Sequence, residues 1–261
     1  MKMTLEQYIQ NPMGKNNAVL NSNMREAARA SYTDKLNKIM LREHGNVWYR
    51  LFKNTKLNKY YIYIKIPSEV VNKFYYDVVL EFYTDSDVKE AGKNLLKYYV
   101  KFYSNDPAFT FTYAYVFRRN SLFINELRYK MSNKALNEIP KEKNPNKDVG
   151  YVKSLYFAYL LIKSKNLNSL NKFEAECTEI DWNYLGNNIE NADSKIAKRQ
   201  EFGDKLKKNK KVKNTNKKVS VGNSVSTNSL LKVTGVKNTN IKQPIRSNIS
   251  KIKSVKNTKR K

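Results

Sequence analysis

Residues 205–261 contain no Asp, Glu, Phe, Tyr or Trp, yet 18 of these 57 residues are Lys or Arg. A segment without aromatic residues buries too little apolar surface to offset its chain entropy, so it is expected to be disordered when free. The whole chain has one cysteine, Cys177, which excludes an intramolecular disulfide and any metal site built from several cysteines. It has one histidine, His44, which excludes His-rich metal sites and most His-base catalysis. Glycine is scarce, with eight in 261 residues, and neither a phosphate loop nor a dinucleotide fingerprint occurs. The first residues, MKMTLEQYIQNPMGK, lack the apolar core of a signal peptide. No run of about 18 apolar residues exists, so no membrane-spanning helix is expected. These absences point to a soluble, non-enzymatic protein of a reducing interior or a particle, with no cofactor and no metal.

What is present is positive charge. The chain carries a net charge of +27, of which residues 1–204 hold +9, from 32 basic and 23 acidic residues. The last 57 residues hold the other +18. A solvated block of one sign is an interaction tail for a polyanion, and nucleic acid releases condensed counterions when its phosphates are neutralised. The candidate contacts fall in two blocks: Lys205, Lys207, Lys208, Lys210, Lys211, Lys213, Lys217 and Lys218, then Lys251, Lys253, Lys256, Lys259, Arg260 and Lys261. Lys is a point charge suited to phosphate, whereas Arg reads base edges in bidentate fashion. Only Arg246 and Arg260 are arginines, so binding is expected to be non-specific, with DNA the leading partner. The competing reading is a solubilising tail or one that docks on acidic protein. An unstructured tail of this length has a root-mean-square reach of about 40 Å. VKNT recurs at residues 212–215, 236–239 and 255–258, and the unequal spacing marks low complexity rather than a solenoid.

All 32 aromatic residues lie before residue 205, enough for a packed core. Residues 1–20 read as an extended arm, broken by Pro12 and Gly14. Residues 21–165 read as an α+β domain. Asn23 and Glu26 form a capping-box pattern, residues 24–44 have helical spacing, and Gly45 is a stop. Residues 47–52, 60–66 and 74–83 then alternate as strands, with a fourth strand over 97–103. Residues 109–117 are read as a strand, with a buried helix as the alternative. Ser121 is expected to cap a helix over 122–130, Ser132 a short turn, and residues 148–164 a further helix. Residues 166–204 read as an irregular extension, with an exposed helix over 189–208. The expected product is an antiparallel sheet of four to five strands with packed helices on one side, its other side wetter.

Several groups invite a chemical reading. Tyr49, Tyr60, Tyr61, Tyr63, Tyr75, Tyr76, Tyr98, Tyr99 and Tyr103, near Lys53, Lys65 and Lys101, have the composition of a base-stacking sheet. Core and protein-interface roles are the stronger reading, since no RNA-recognition motif accompanies them. Asp85, Asp87 and Glu90 form a compact acidic loop, but Val88 and Lys89 break a calcium-loop pattern. Asp77 and Glu81 share a strand face, with no nearby lysine expected to complete a nuclease-like acidic–basic set. His44 ends a helix and is expected to cap carbonyls. Cys177 stands between Glu176 and Thr178, where neighbouring charge is expected to raise its pKa.

The phrases NPMGKNNAV at residues 11–19, YYIYIKIPSE at 60–69, FYYDVVLEF at 74–82, FTFTYAYVF at 109–117 and NPNKDVGYVKSLYFA at 144–158 resemble uncharacterised proteins of large tailed bacteriophages, among them the crAss-like group. The resemblance covers about residues 11–165 and leaves out the basic tail. It implies a phage origin and a virion component, with other virion proteins as partners and self-association possible. The combined expectation is a non-enzymatic virion structural or virion-associated protein whose tail contacts nucleic acid or anchors it in a large assembly. An intracellular, non-specific DNA- or RNA-binding factor made during infection is the alternative.

Overall fold

The computed structural model describes the backbone of residues 2–10, 22–85, 92–140, 144, 149–150 and 152–219. Within these, the side chains of 22–27 and 206–219 are not described. The chain divides into two units, residues 1–214 and 215–261. The first contains a five-stranded sheet of order β4-β3-β2-β1-β5: β1 Tyr49–Asn54, β2 Lys59–Pro67, β3 Tyr75–Tyr83, β4 Tyr99–Ser104 and β5 Thr178–Glu179. The first four strands pair antiparallel, and the two-residue β5 pairs parallel to β1. The α+β class with a mostly antiparallel sheet is therefore the observed one.

Alternation sorts the strand residues onto two faces. One face carries Ile62, Ile64 and Ile66 from β2, Val78, Leu80 and Phe82 from β3, and Val100 and Phe102 from β4, all buried. Helix α6 (Lys153–Ser164) packs there, with Leu155, Ala158 and Ile162 buried, and α7 (Leu170–Glu176) sets Phe173 5.6 Å from the Tyr60 ring. The opposite face is not the wetter side that its polar residues suggested. Helix α8 (Trp182–Asn188) and a 3-10 turn over Asn125–Lys130 cover it. Trp182 stacks edge-on to Tyr61 at 5.3 Å, Tyr184 packs on Phe52, and Phe123 packs on Tyr103. The sheet is a middle layer because residues 166–189, expected to be irregular, instead supply α7, β5 and α8.

Other expectations are corrected. The first residues are not simply an extended arm. Thr4 bridges Tyr99, and α1 (Leu5–Gln10) buries Leu5, Tyr8 and Ile9, while residues 11–20 lie outside the described ones. Residues 109–117 are helical, as α3 (Pro107–Thr112) and α4 (Ala114–Arg119). The missed signal is Asp106–Pro107: the Asp106 carboxylate accepts from the Ala108 and Phe109 amides, and proline suits the first helical position. Ser121 caps no helix. It turns the chain with a φ of 60°, after which Phe123 bridges Phe102. Ser132 precedes α5 (Asn133–Asn137) without a side-chain cap bond. Helix α6 starts at Lys153 rather than Asp148. Helix α2 (Ser22–Arg42) ends as expected near Gly45, whose φ of 74° lets its amide reach the Met40 carbonyl at 2.8 Å.

Glu81 shows what the register does. It is fully buried, directly opposite Lys101 on β4, with Lys59 two pairs along on β2, on the same face. Its Oε1 lies 3.0 Å from the Lys59 ammonium and 3.2 Å from that of Lys101. The expectation that no lysine accompanies Glu81 is thus overturned, because the partners are cross-strand neighbours far away in sequence. A buried carboxylate removed from its cations is costly to the fold. Glu81→Gln is expected to lower unfolding free energy by about 2 kcal/mol, less than a fully buried pair, because both lysines can reach solvent. Denaturant unfolding checks this. Burial also raises the hydroxyl pKa of Tyr60, Tyr61, Tyr63 and Tyr103 well above the usual 10. Their contribution to stability is complete below pH 10 and lost as pH rises through the folded values. Ultraviolet titration should therefore show these four ionising only on alkaline unfolding.

Candidate nucleic-acid interface

The Lys-rich segment begins on helix α9, Ala192–Val219. Its first turns are docked by a chain of polar contacts that starts at Asp77. That carboxylate is buried on β3, and its Oδ1 accepts from the Tyr63 hydroxyl at 2.7 Å. Its Oδ2 accepts from Asn105 Nδ2 at 2.7 Å and from the Glu190 amide at 3.2 Å. Asn105 Nδ2 also donates to the Glu190 carbonyl at 3.0 Å, and the Tyr63 hydroxyl lies 3.0 Å from the Asn188 carbonyl. The segment entering α9 is thus tied to the middle of the sheet.

Glu190 fastens the helix itself. Its carboxylate lies 3.2 Å from the Lys195 ammonium and pairs closely with Lys198. Burial alone would raise the Glu190 pKa, but the two lysines outweigh it and hold the carboxyl below the usual range. The Lys195 ammonium also sits 4.7 Å over the Phe74 ring, which meets Phe202 at 5.9 Å. Helix α9 therefore passes the end of the sheet from the Tyr63–Asp77 face to Tyr76 and Ile66 on the other, where Arg199 lines a cavity with them.

Of the predicted contact residues, Lys205 is exposed, with its ammonium 5.8 Å from the Phe202 ring. Lys207, Lys208, Lys210, Lys211, Lys213, Lys217 and Lys218 lie on the α9 backbone, which runs as helix beyond the expected end near residue 208. Lys251, Lys253, Lys256, Lys259, Arg260 and Lys261 lie outside the described residues. The last acidic residue of the helix is Asp204.

Of the nine candidate tyrosines, Tyr49, Tyr75, Tyr76 and Tyr99 keep part of their surface open. Tyr60, Tyr61, Tyr63, Tyr98 and Tyr103 are buried, so they offer no face for stacking bases. Asp77 has both oxygens committed to protein donors. Asp85 pairs with Lys2, while Asp87 and Glu90 lie outside the described residues. Among the described residues no three His, Cys, Asp or Glu side chains converge as a metal-ligand set, and no helix is long and apolar enough to cross a membrane. His44 contributes its backbone, in a left-handed conformation, to the α2 stop. Burial raises the Cys177 thiol; Lys53 opposes this, and Glu174 and Glu179 add to it. No family model, curated protein or solved structure matches this chain.

Two outcomes follow from the docking geometry. Asp77→Asn keeps the shape but places an amide against donors, so it is expected to destabilise the domain by about 2–3 kcal/mol in denaturant unfolding. The Glu190 contribution has a pKa depressed in the folded state. It is fully present above the ordinary value of 4.5 and disappears as pH falls through the lower folded value. Acid titration of wild type and Glu190→Gln should show their stability gap closing below about pH 4.5.

Proposed function

We propose that this chain is a non-enzymatic, non-specific nucleic-acid-binding protein, with the α+β domain as an anchor and the segment from Lys205 onward as its phosphate-contacting arm. The single observation that carries this is the charge: 18 Lys or Arg after Asp204 with no acid among them. The helix supports it. From Lys205 to Lys218 the sequence has eight lysines and only two apolar residues, Leu206 and Val212, too few for the apolar stripe that a membrane surface or partner helix needs. Lysine pairs such as 207–211, 210–213 and 213–217 repel one another at helical spacing, and a polyanion relieves that repulsion. The resemblance to proteins of large tailed phages makes a virion the setting of this reading, with the domain docked on other virion proteins. Double-stranded DNA is the expected ligand.

Binding of labelled double-stranded DNA across a salt series tests the reading. The full chain should lose affinity steeply with salt. Replacing Lys205, Lys207, Lys208, Lys210, Lys211, Lys213, Lys217 and Lys218 with Gln should flatten the log–log slope by up to about 7. Binding that is indifferent to salt, or unchanged by the eight substitutions, sinks the proposal for this helix.

A further inference from the structure

A cavity of about 180 Å³ opens where the end of β2, the starts of α3 and α6, and α9 meet. Its charged groups are unequally matched. Asp106 accepts from Ser154 Oγ at 2.6 Å, Ser104 Oγ at 3.2 Å and the amides of Ala108 and Phe109 at 2.8 and 3.1 Å. Glu69 lies 2.8 Å from the Lys153 ammonium and 3.6 Å from that of Lys35. Arg199 has no such partner: among the described residues it makes no hydrogen bond or ion pair, and its Nε is buried without an acceptor. Among the charged residues that line the cavity, Arg199 and Lys153 face Glu69 and Asp106, and Lys35, outside the lining, adds one positive charge beside Glu69. An arginine held beside a cavity with its Nε unpaired is suited to an oxyanion, which its planar fork binds in bidentate fashion.

We infer that this cavity binds a single phosphate group, with the Arg199 guanidinium as principal donor and the Lys153 ammonium as second cation. The volume sets the size limit. Pockets for drug-sized ligands start at about 300 Å³, so a phosphate fits and a whole nucleotide does not. Phosphate is favoured over a carboxylate because its second charge uses the second cation. Tyr76 and Ser154 border the same space with hydroxyls, while Phe157 and Ile66 supply its apolar wall. The inference goes beyond the helical arm, since it concerns the folded domain. The phosphate is either a free ion or small phosphomonoester, or the terminal phosphate of a strand lying on α9.

The test uses the full chain and inorganic phosphate, with acetate at equal ionic strength as control and binding read by titration calorimetry. Wild type should bind phosphate saturably and acetate at least tenfold more weakly. Arg199→Gln should weaken phosphate binding about tenfold or more. Arg199→Lys, which keeps the charge and protects against a simple folding failure, should fall between. Lys56→Gln, an exposed charge loss in the β1–β2 loop, should leave binding unchanged. A second arm compares an oligonucleotide with and without a 5′-phosphate. A wild-type preference for the phosphorylated strand that Arg199→Gln abolishes assigns the ligand to a strand end. Phosphate binding without that preference assigns it to a free phosphate. Equal binding of acetate, or phosphate binding unaffected in Arg199→Gln, overturns the site. DNA binding that survives such a result keeps the arm intact, and phosphate binding without DNA binding removes only the arm.

Discussion

The arrangement of this protein depends on one buried carboxylate. Asp77 sits in the middle of a sheet covered on both sides, and a charge there persists only if donors replace the water it has lost. Tyr63 supplies one donor from the adjacent strand, Asn105 another from the turn after β4, and the Glu190 amide a third from the chain entering α9. These groups come from four separate stretches of the chain. The carboxylate therefore couples the sheet to the helix that carries the arm, and disturbing it loosens the arm's mount as well as the core.

The same logic explains the unusual number of tyrosines. A sheet covered on both faces has little water for polar groups, yet tyrosine places a ring in a core and a hydroxyl within reach of a partner. Tyr60 reaches Glu174, Tyr63 reaches Asp77, and Tyr103 reaches the Lys130 carbonyl at 3.2 Å. Tyr8 likewise meets the carbonyls of Val149 and Gly150. The tyrosines serve as interior hydrogen-bond donors that join the middle layer to its coverings.

How far this could be read from the chain alone follows from where the determining contacts lie. The strands were legible because period-two alternation is a local property, and β1 to β4 fall within a few residues of their expected places. The covering of the second face was not, because α8 is short of apolar periodicity and gains its order from Trp182 and Tyr184 meeting sheet residues more than a hundred positions away. The alternation in residues 109–117 misled because Phe109, Phe117 and Val116 are buried on helices that break at Tyr113, and the decisive Asp106–Pro107 cap lies just outside that run. At the candidate interface, the lysines from 205 onward needed no fold to be seen. Arg199 could not be singled out, since one arginine among 32 basic residues before Asp204 gains its character only from the cavity beside it.

The distribution of charge along α9 changes at Asp204. Up to Asp204, acidic and basic residues are mixed, and Glu190, Phe74 and Asp77 hold the first turns against the domain. Beyond Asp204 every charge is positive, and like charges at helical spacing repel by a few tenths of a kcal/mol per pair. If the segment binds nucleic acid as proposed, a counter-charge running beside the axis removes that penalty at many positions together.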